Sequence, residues 1–394
     1  MVDYISENFK NFDTVRSFQN RSIRIAIDLL WLRPGKVGGT ETYIRNLLDG
    51  FCNLDREFNF VLLTSRDNAD SFRHYLTDKR ISMITVNMEN SNIGKRIIWQ
   101  NLYQNRLLKK AKIKYCFTPV YCRPFLNGGI EYINTIHDLQ AWHYPEYHPF
   151  YEVLYSKLCW YCDARKSIKI IAISNWVKLD IVKRLRVSEY KVETIYNPIL
   201  IKKEEQCDFT KVNKKLGIDG GYFYTVSQLI PHKNLITLIN VMERIISENM
   251  RIPHKLVISG VNGNATEQIQ KMIQKKRLEK SIILTGYIDN ATRNTLYKNC
   301  TVFLYPSIFE GFGMPPIEAM VLGRPVITTR CASLPEVTQD RAIYVEDPMN
   351  IEEWIERIKD CIDTKGNGQA SLDASVYDAE LLANKYLDLF ENTF

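Results

Sequence analysis

Two glutamates, Glu310 and Glu318, frame a run rich in glycine and proline, EGFGMPPIE. It follows the apolar segment VFLYPS, so a strand ends just before it. Gly311 and Gly313 let the backbone come close to a ligand, and the prolines suit the first turn of a helix. Backbone N–H groups at such a helix start, with the positive end of its dipole, make an anion site. Two carboxylates have no reason to touch an anion. They are better suited to accept hydrogen bonds from hydroxyls, such as those of a sugar. Taken alone, the run is equally compatible with a loop carrying one capping acid and one surface acid.

Three other segments carry candidate chemistry. SQLIPHKN (227–234) follows a strand and opens a helix, which makes Lys233 a point charge for a diphosphate leaving group. Gly38 and Gly39 lie between the first strand and first helix, where a glycine pair admits a phosphate or an acceptor to a helix N-terminus. His137 closes a strand in TIHDL. Histidine donates to hydroxyls and carries charge near neutral pH, and the adjacent Asp138 is placed to fix its ring. His143 and His148 follow as loop residues within reach of an acceptor. Each has a plainer reading: an exposed helix-start lysine, a turn, a structural His–Asp pair.

The elements that must position these residues read as strands alternating with helices. Short apolar strands are expected at 22–30, 60–64, 81–86, 115–118, 132–136 and 168–173, with a helix at 41–51. The pattern restarts with strands at 222–227, 255–259, 282–285, 302–305 and 325–328. This alternation argues for an α/β chain with parallel sheets covered on both faces. We expect an N-terminal arm (1–21), a first Rossmann-like domain (22–201), a polar linker (202–221) and a second Rossmann-like domain (222–375). Two such doubly wound domains facing a central cleft would set their strand C-termini around one ligand site.

The segment PSIFEGFGMPPIEAMVLGRPVITTRCASLPEV resembles the donor-binding signature of the family 4 glycosyltransferases, a retaining group with the GT-B fold, and the resemblance runs from about Arg24 onward. It implies that Glu310 binds donor-sugar hydroxyls, that Glu318 binds the ribose, and that the backbone of Gly311, Phe312, Gly313 and Met314 holds sugar and diphosphate. His137 would reach the transferred sugar near its reacting centre. The turn at Gly286, Tyr287 and Ile288 would lie along the nucleotide base. Tyr196-Asn197-Pro198 would lie near the domain crossover, and residues 376–394 would form a last helix crossing back to the first domain. The family often places an arginine five positions before the lysine, where this sequence has Gln228. Arg33, Lys36 or His232 is then the candidate second cation, or Lys233 acts alone. The implied activity is retaining transfer of a hexose to a glycan or lipid-linked glycan in surface polysaccharide (lipopolysaccharide) assembly. The donor is a nucleotide diphosphate sugar, with GDP-mannose ahead of the UDP-hexoses. The family explains retention by front-face attack, which needs no protein nucleophile.

No Asp-x-Asp appears, so a metal-bound diphosphate is not expected, nor any cofactor beyond the donor itself. Hydrophobic residues make up 45% and charged residues 25%, values of a folded chain. The N-terminus lacks the apolar core of a signal peptide, and no apolar run approaches a membrane span, so a cytoplasmic protein is expected. The nine cysteines then read as packed free thiols, the Cys159–Cys162 pair included. Residues 95–114 hold Lys95, Arg96, Arg106, Lys109, Lys110, Lys112 and Lys114 without an acid. That stretch is either an ordinary solvated helix or a surface that meets acceptor or anionic lipid headgroups, with the protein peripheral on the cytoplasmic membrane face. The net charge of +7 is dispersed and accompanies no nucleic-acid motif.

Two competing readings belong to other classes. A GT-B epimerase would interconvert sugar nucleotides without an acceptor, and a phosphorylase would need a pyridoxal lysine and a much longer chain. A non-catalytic GT-B scaffold would be expected to lose the carboxylate pair or the lysine, whereas Glu310, Glu318, Lys233 and His137 all stand.

Overall fold

The structure is a computed structural model that describes residues 23–121, 123–201, 205–364 and 371–394. The expected arm at 1–21 and Cys122 lie outside the described residues. The chain forms two compact units. One comprises residues 1–198 and 377–394, the other residues 199–376.

The first unit is built on a seven-stranded parallel sheet: β1 (Arg24–Asp28), β2 (Asn59–Ser65), β3 (Ile81–Val86), β4 (Tyr115–Thr118), β5 (Glu131–Ile136), β6 (Lys169–Ala172) and β7 (Val192–Thr194). The strand order is β3-β2-β1-β4-β5-β6-β7, with β1 paired in parallel to both β2 and β4. Every residue of β2 is buried, as a parallel strand covered on both faces requires. Helix α1 (Gly39–Asn53) covers one face, and Tyr43, Ile44, Leu47, Leu48 and Phe51 are buried along it.

The C-terminal helix Ala379–Thr393 packs on α1 within this unit. Leu382, Tyr386, Leu387 and Phe390 enter the same core, each large side chain stabilising it by about 1.5–3 kcal/mol. The Tyr43 and Tyr386 hydroxyls lie 2.6 Å apart. Gly50 permits the approach, since a Cβ there would stand 2.3 Å from the Ala379 carbonyl oxygen.

The second unit repeats the plan with β8 (Phe223–Val226), β9 (Leu256–Ser259), β10 (Ile282–Gly286), β11 (Val302–Tyr305), β12 (Val326–Thr329) and β13 (Ile343–Val345), in the order β10-β9-β8-β11-β12-β13. In each sheet the strand order reverses beside the first strand, which is the ligand-binding point of doubly wound sheets.

The stretch expected to be a linker, 202–221, is corrected. It contains the helix Phe209–Leu216, capped by Asp208, whose Oδ1 accepts from Thr210 N at 2.9 Å. Phe209, Val212 and Leu216 fall at helical spacing and pack with Tyr222 and Leu296 in the second unit's core. The passage between the units lies earlier, at Pro198–Ile199.

Residues 93–110 form one helix, Ile93–Trp99 and Asn105–Lys110 joined by a π-helical turn at Gln100–Gln104. The wider turn brings Gln100 and Gln104 to the same oxygen: both donate to Oδ2 of the buried Asp28, at 3.1 and 2.8 Å.

Candidate active site

The loops after β8 and β11 meet at the reversal point of the second sheet. The first carries a turn of 3-10 helix, Pro231–Lys233, and ends at Asn234 with a positive φ of 52°. Asn234 is fixed by Thr237, whose hydroxyl donates to its Oδ1 at 2.8 Å. The second loop is tied to the first by Ser307 Oγ and Ile308 N, both donating to the His232 carbonyl. The result places Lys233 Nζ 2.6 Å from Glu310 Oε1. Tyr305, the last residue of β11, completes the group. Its hydroxyl donates to Glu310 Oε1 at 2.7 Å and accepts from Lys233 at 3.3 Å. Burial pushes the Glu310 carboxyl up, but the charges of Lys233 and His232 outweigh it and hold the group below the usual carboxylate range. A fixed ammonium at the mouth of a parallel sheet is suited to neutralise a departing anion.

Glu318 lies in the helix Met314–Val321 and is also buried. Tyr297 donates to its Oε2 at 2.9 Å, and Arg293 Nη2 stands 3.8 Å from Oε1. Both partners come from the helix Asn290–Asn299, four positions apart and therefore on one face. Sequence reasoning missed Tyr305, Arg293 and Tyr297. The four-residue spacing of Arg293 and Tyr297, after the turn at Gly286, was the available signal.

Between the two glutamates, Ser333 Oγ holds the glycine loop by donating to the Glu310 and Phe312 carbonyls, at 2.9 and 3.1 Å. Gly313 has a φ of 91°, and a Cβ there would stand 2.7 Å from Leu334 Cδ2. Gly311 and Phe312 are buried, and Met314 is half-buried. Pro315 and Pro316 carry no N–H, so the free donors of the helix start, residues 313–316, reduce to Gly313 and Met314. The anion site is thus narrower than the sequence suggested.

Gln228 is exposed, its Nε2 3.5 Å from the Asn262 carbonyl. The Ser227 carbonyl beside it packs against Gly260, where a Cβ would stand 1.9 Å away. Gly260 N in turn donates to the Gly286 carbonyl, and Ile288 is half-buried just beyond. These residues therefore line the same strand ends as Lys233.

In the first unit, Gly38 caps α1 with φ 61° and ψ −134°, a backbone that suits glycine; Gly38 and Gly39 are exposed. His137 is half-buried beyond β5. Its Nε2 donates to the Pro119 carbonyl at 2.9 Å, and the ring meets Tyr43 edge-on. Burial pushes its pKa down to about 4, so the expectation of a charged ring near neutral pH is corrected. With Nε2–H committed, Nδ1 of the neutral ring is an acceptor. Asp138 Oδ1 accepts from Gln140 N at 2.9 Å, and the ring's fixed partner is the Pro119 carbonyl.

His143 is not in a loop. It ends the short helix Gln140–His143 and is bonded through Nε2 to Asp180 at 2.7 Å, with Arg184 at 3.2 Å from Nδ1. Arg96 is likewise corrected as a surface contact, because it is half-buried and its Nη1 donates to the Trp31 carbonyl. Lys95, Arg106, Lys109 and Lys110 are exposed. The free cysteines include buried Cys116, Cys159, Cys300 and Cys361, and burial pushes the Cys159 and Cys300 thiols up to about 12.

Comparison with known proteins decides the family. The family described as Glycosyltransferase Family 4 matches residues 37–202, and that described as Glycosyl transferases group 1 matches residues 208–374. The chain is a family 4 glycosyltransferase. This glycosyltransferase is 27% identical over 329 residues to the O-antigen chain mannosyltransferase RfbU of Salmonella typhimurium, covering 79% of this chain and 86% of that protein. It is 26% identical over 227 residues to the O-antigen chain mannosyltransferase B of Escherichia coli, covering 56% and 58%. The glycosyltransferase also shares its fold, GT-B, with Anabaena HepE solved with UDP and glucose (TM-score 0.71, 16% identity, 94% of this chain and 100% of that one). WaaG, involved in lipopolysaccharide biosynthesis, matches with TM-score 0.69 at 14% identity, covering 93% and 99%.

Proposed function

We propose that this glycosyltransferase moves mannose from GDP-mannose to a lipid-linked glycan, with retention at the anomeric carbon and without a metal ion, at the cytoplasmic face of a membrane. The observation that carries the reading is the ammonium of Lys233 beside Glu310 at the reversal point of the second sheet. Mannose is favoured by the similarity to RfbU and mannosyltransferase B, both O-antigen chain mannosyltransferases.

In the proposed reaction the bond between the sugar's anomeric carbon and the diphosphate breaks. An acceptor hydroxyl oxygen bonds to that carbon from the same face, and its proton passes to a donor phosphate oxygen. Negative charge grows on the leaving diphosphate, and Lys233 with the helix start at Met314 stabilises it. Glu310, relieved of part of its bond to Lys233 by the arriving phosphate, accepts from sugar hydroxyls. Glu318, held by Tyr297 and Arg293, faces the ribose. His137 accepts a sugar hydroxyl through Nδ1. No step calls for a metal, because a lysine stands where the departing charge needs a cation.

The test is a thermal-shift series with GDP-, UDP- and dTDP-sugars, since a ligand that binds the folded state raises its stability by mass action. GDP-mannose should give the largest shift, and NMR of the product should show a retained anomer. A shift with UDP-glucose and none with GDP-mannose would replace the donor, a reading that HepE solved with UDP-glucose makes the natural second choice.

A further inference from the structure

The first unit exposes large apolar side chains on two helices that one loop bridges by hydrogen bonds. On the helix of residues 93–110, Ile98 and Leu102 are exposed, 61% and 54%, and lie in one row with the exposed Lys95, Arg106 and Lys109. On the helix Phe150–Lys166, Phe150 (81%), Leu154 and Leu158 follow one another four residues apart, with Tyr161 completing the row. An ordinary helix over a sheet turns its apolar stripe inward and its polar face out. Both of these helices bury one stripe, around Leu107 and Leu108 and around Cys159 and Trp160, and still carry a second apolar row outward.

Residues 123–127 tie the helices together. Asn101 Oδ1 accepts from Phe125 N, and Asn105 Nδ2 donates to the Leu126 carbonyl. From the other helix, Lys166 Nζ donates to the Phe125 carbonyl and Tyr155 meets the Phe125 ring. Leu126, 70% exposed, stands at this junction, so the two outward rows flank one loop.

The charge around them has one sign. No acid occurs between Glu89 and Glu131. On the Phe150–Lys166 helix, Asp163 is buried against Arg123, which leaves Glu152 against Lys157, Arg165 and Lys166. Arg165 lies over the Tyr161 ring at 3.3 Å, a pairing of cation and amphipathic aromatic that suits a polar–apolar boundary.

We propose that this face, centred on Leu126, seats the protein on an anionic bilayer. Ile98, Leu102, Leu154 and Leu158 enter the acyl boundary while Lys95, Arg106 and Lys109 meet lipid phosphates. The inference deepens the lipid-linked acceptor reading and rests on it for the presence of a bilayer. The charge pattern selects the bilayer over a second copy of the chain, because two copies would bring these cations together.

The test is co-sedimentation of the full chain with vesicles of phosphatidylcholine alone and of phosphatidylcholine with one-third phosphatidylglycerol. Two double variants are compared, Leu102→Ser with Leu158→Ser and Lys95→Glu with Lys109→Glu. All four residues are exposed, so both variants should keep the wild-type melting temperature and its shift with nucleotide sugar. Partition onto the anionic vesicles that falls about tenfold or more in each variant supports the proposal. Three outcomes overturn it: no partition by the wild-type chain, partition unchanged by the two serines, or a wild-type dimer that the serines dissociate. Melting with nucleotide sugars in the same samples separates this from the reaction. A chain that binds vesicles but shifts with no sugar nucleotide sinks the proposed donor and leaves the surface standing.

Discussion

Lys233 Nζ and Glu310 Oε1 lie 2.6 Å apart although 77 positions separate them in the chain. They meet because β8 and β11 are neighbours at the point where the sheet order reverses, and each residue sits in the loop its strand feeds. The pair holds a carboxylate charged in a buried place, ready to exchange its cation for a substrate.

Removing that cation should cost both activity and stability. Lys233→Met should lose most turnover and destabilise the fold by about 3 kcal/mol, because Glu310 is left buried without a partner. In the wild type the folded pKa of Glu310 lies below its unfolded value of about 4.3. Its contribution is therefore present above that pH and is lost as the pH falls through the folded pKa. In the variant, burial alone raises the pKa, so acid relieves the strain. Melting curves should show the gap between the two proteins narrowing from pH 7 toward about pH 4; a constant gap would mean that Glu310 does not depend on Lys233.

His137 makes a second pH signature of the same sign as wild-type Glu310, beginning at higher pH. Its folded pKa of about 4 lies below the unfolded value near 6.5, so only the unfolded chain takes up the proton between those values. Stability should fall as the pH drops from 6.5 toward 4, by at most about 3 kcal/mol from this ring. His137→Gln should flatten that part of the profile. It should also lower turnover, since the amide cannot place an acceptor and keep the bond to Pro119 in one geometry.

The cluster at Glu318 should act on binding rather than on chemistry. Tyr297→Phe leaves one carboxylate oxygen without its donor, and Arg293→Met removes the nearby cation. Each should raise the KM for donor several-fold, with kcat changed less, as expected when an interaction is equal in ground and transition states. A fall in kcat with KM unchanged would place Glu318 in the chemical step instead.

Gly313→Ala tests the backbone of the loop. Its φ of 91° and the 2.7 Å approach to Leu334 Cδ2 combine strain with a clash. A loss of about 1–3 kcal/mol is expected in chemical denaturation, along with weaker nucleotide-sugar binding.

Much of this was legible because buried parallel strands announce themselves as short apolar runs. The apolar runs at 302–305 and 325–328 needed no context to be read as strands, and they became β11 and, one residue later, β12. Glu310, Glu318 and Lys233 were singled out by the resemblance of their segments to the family 4 signature; taken alone, each run also read as a plain loop or an exposed helix start. The helix Phe209–Leu216 was not, since polar residues dominate it and only Val212 is fully buried. The state of His137 was hidden too. Its partner is a backbone carbonyl from a neighbouring strand's loop, and carbonyls leave no trace in residue type. Tyr305 read as one more strand residue until β11 and β8 came side by side.

The helix Ala379–Thr393 gives the molecule an unusual order of assembly. Residues 199–376 are continuous and can close their core as soon as they leave the ribosome. The unit that begins first must wait, with the α1 surface around Gly50 and Tyr43 uncovered, for a helix translated after all of its neighbour. The half translated later should therefore be the earlier to resist protease on stalled nascent chains.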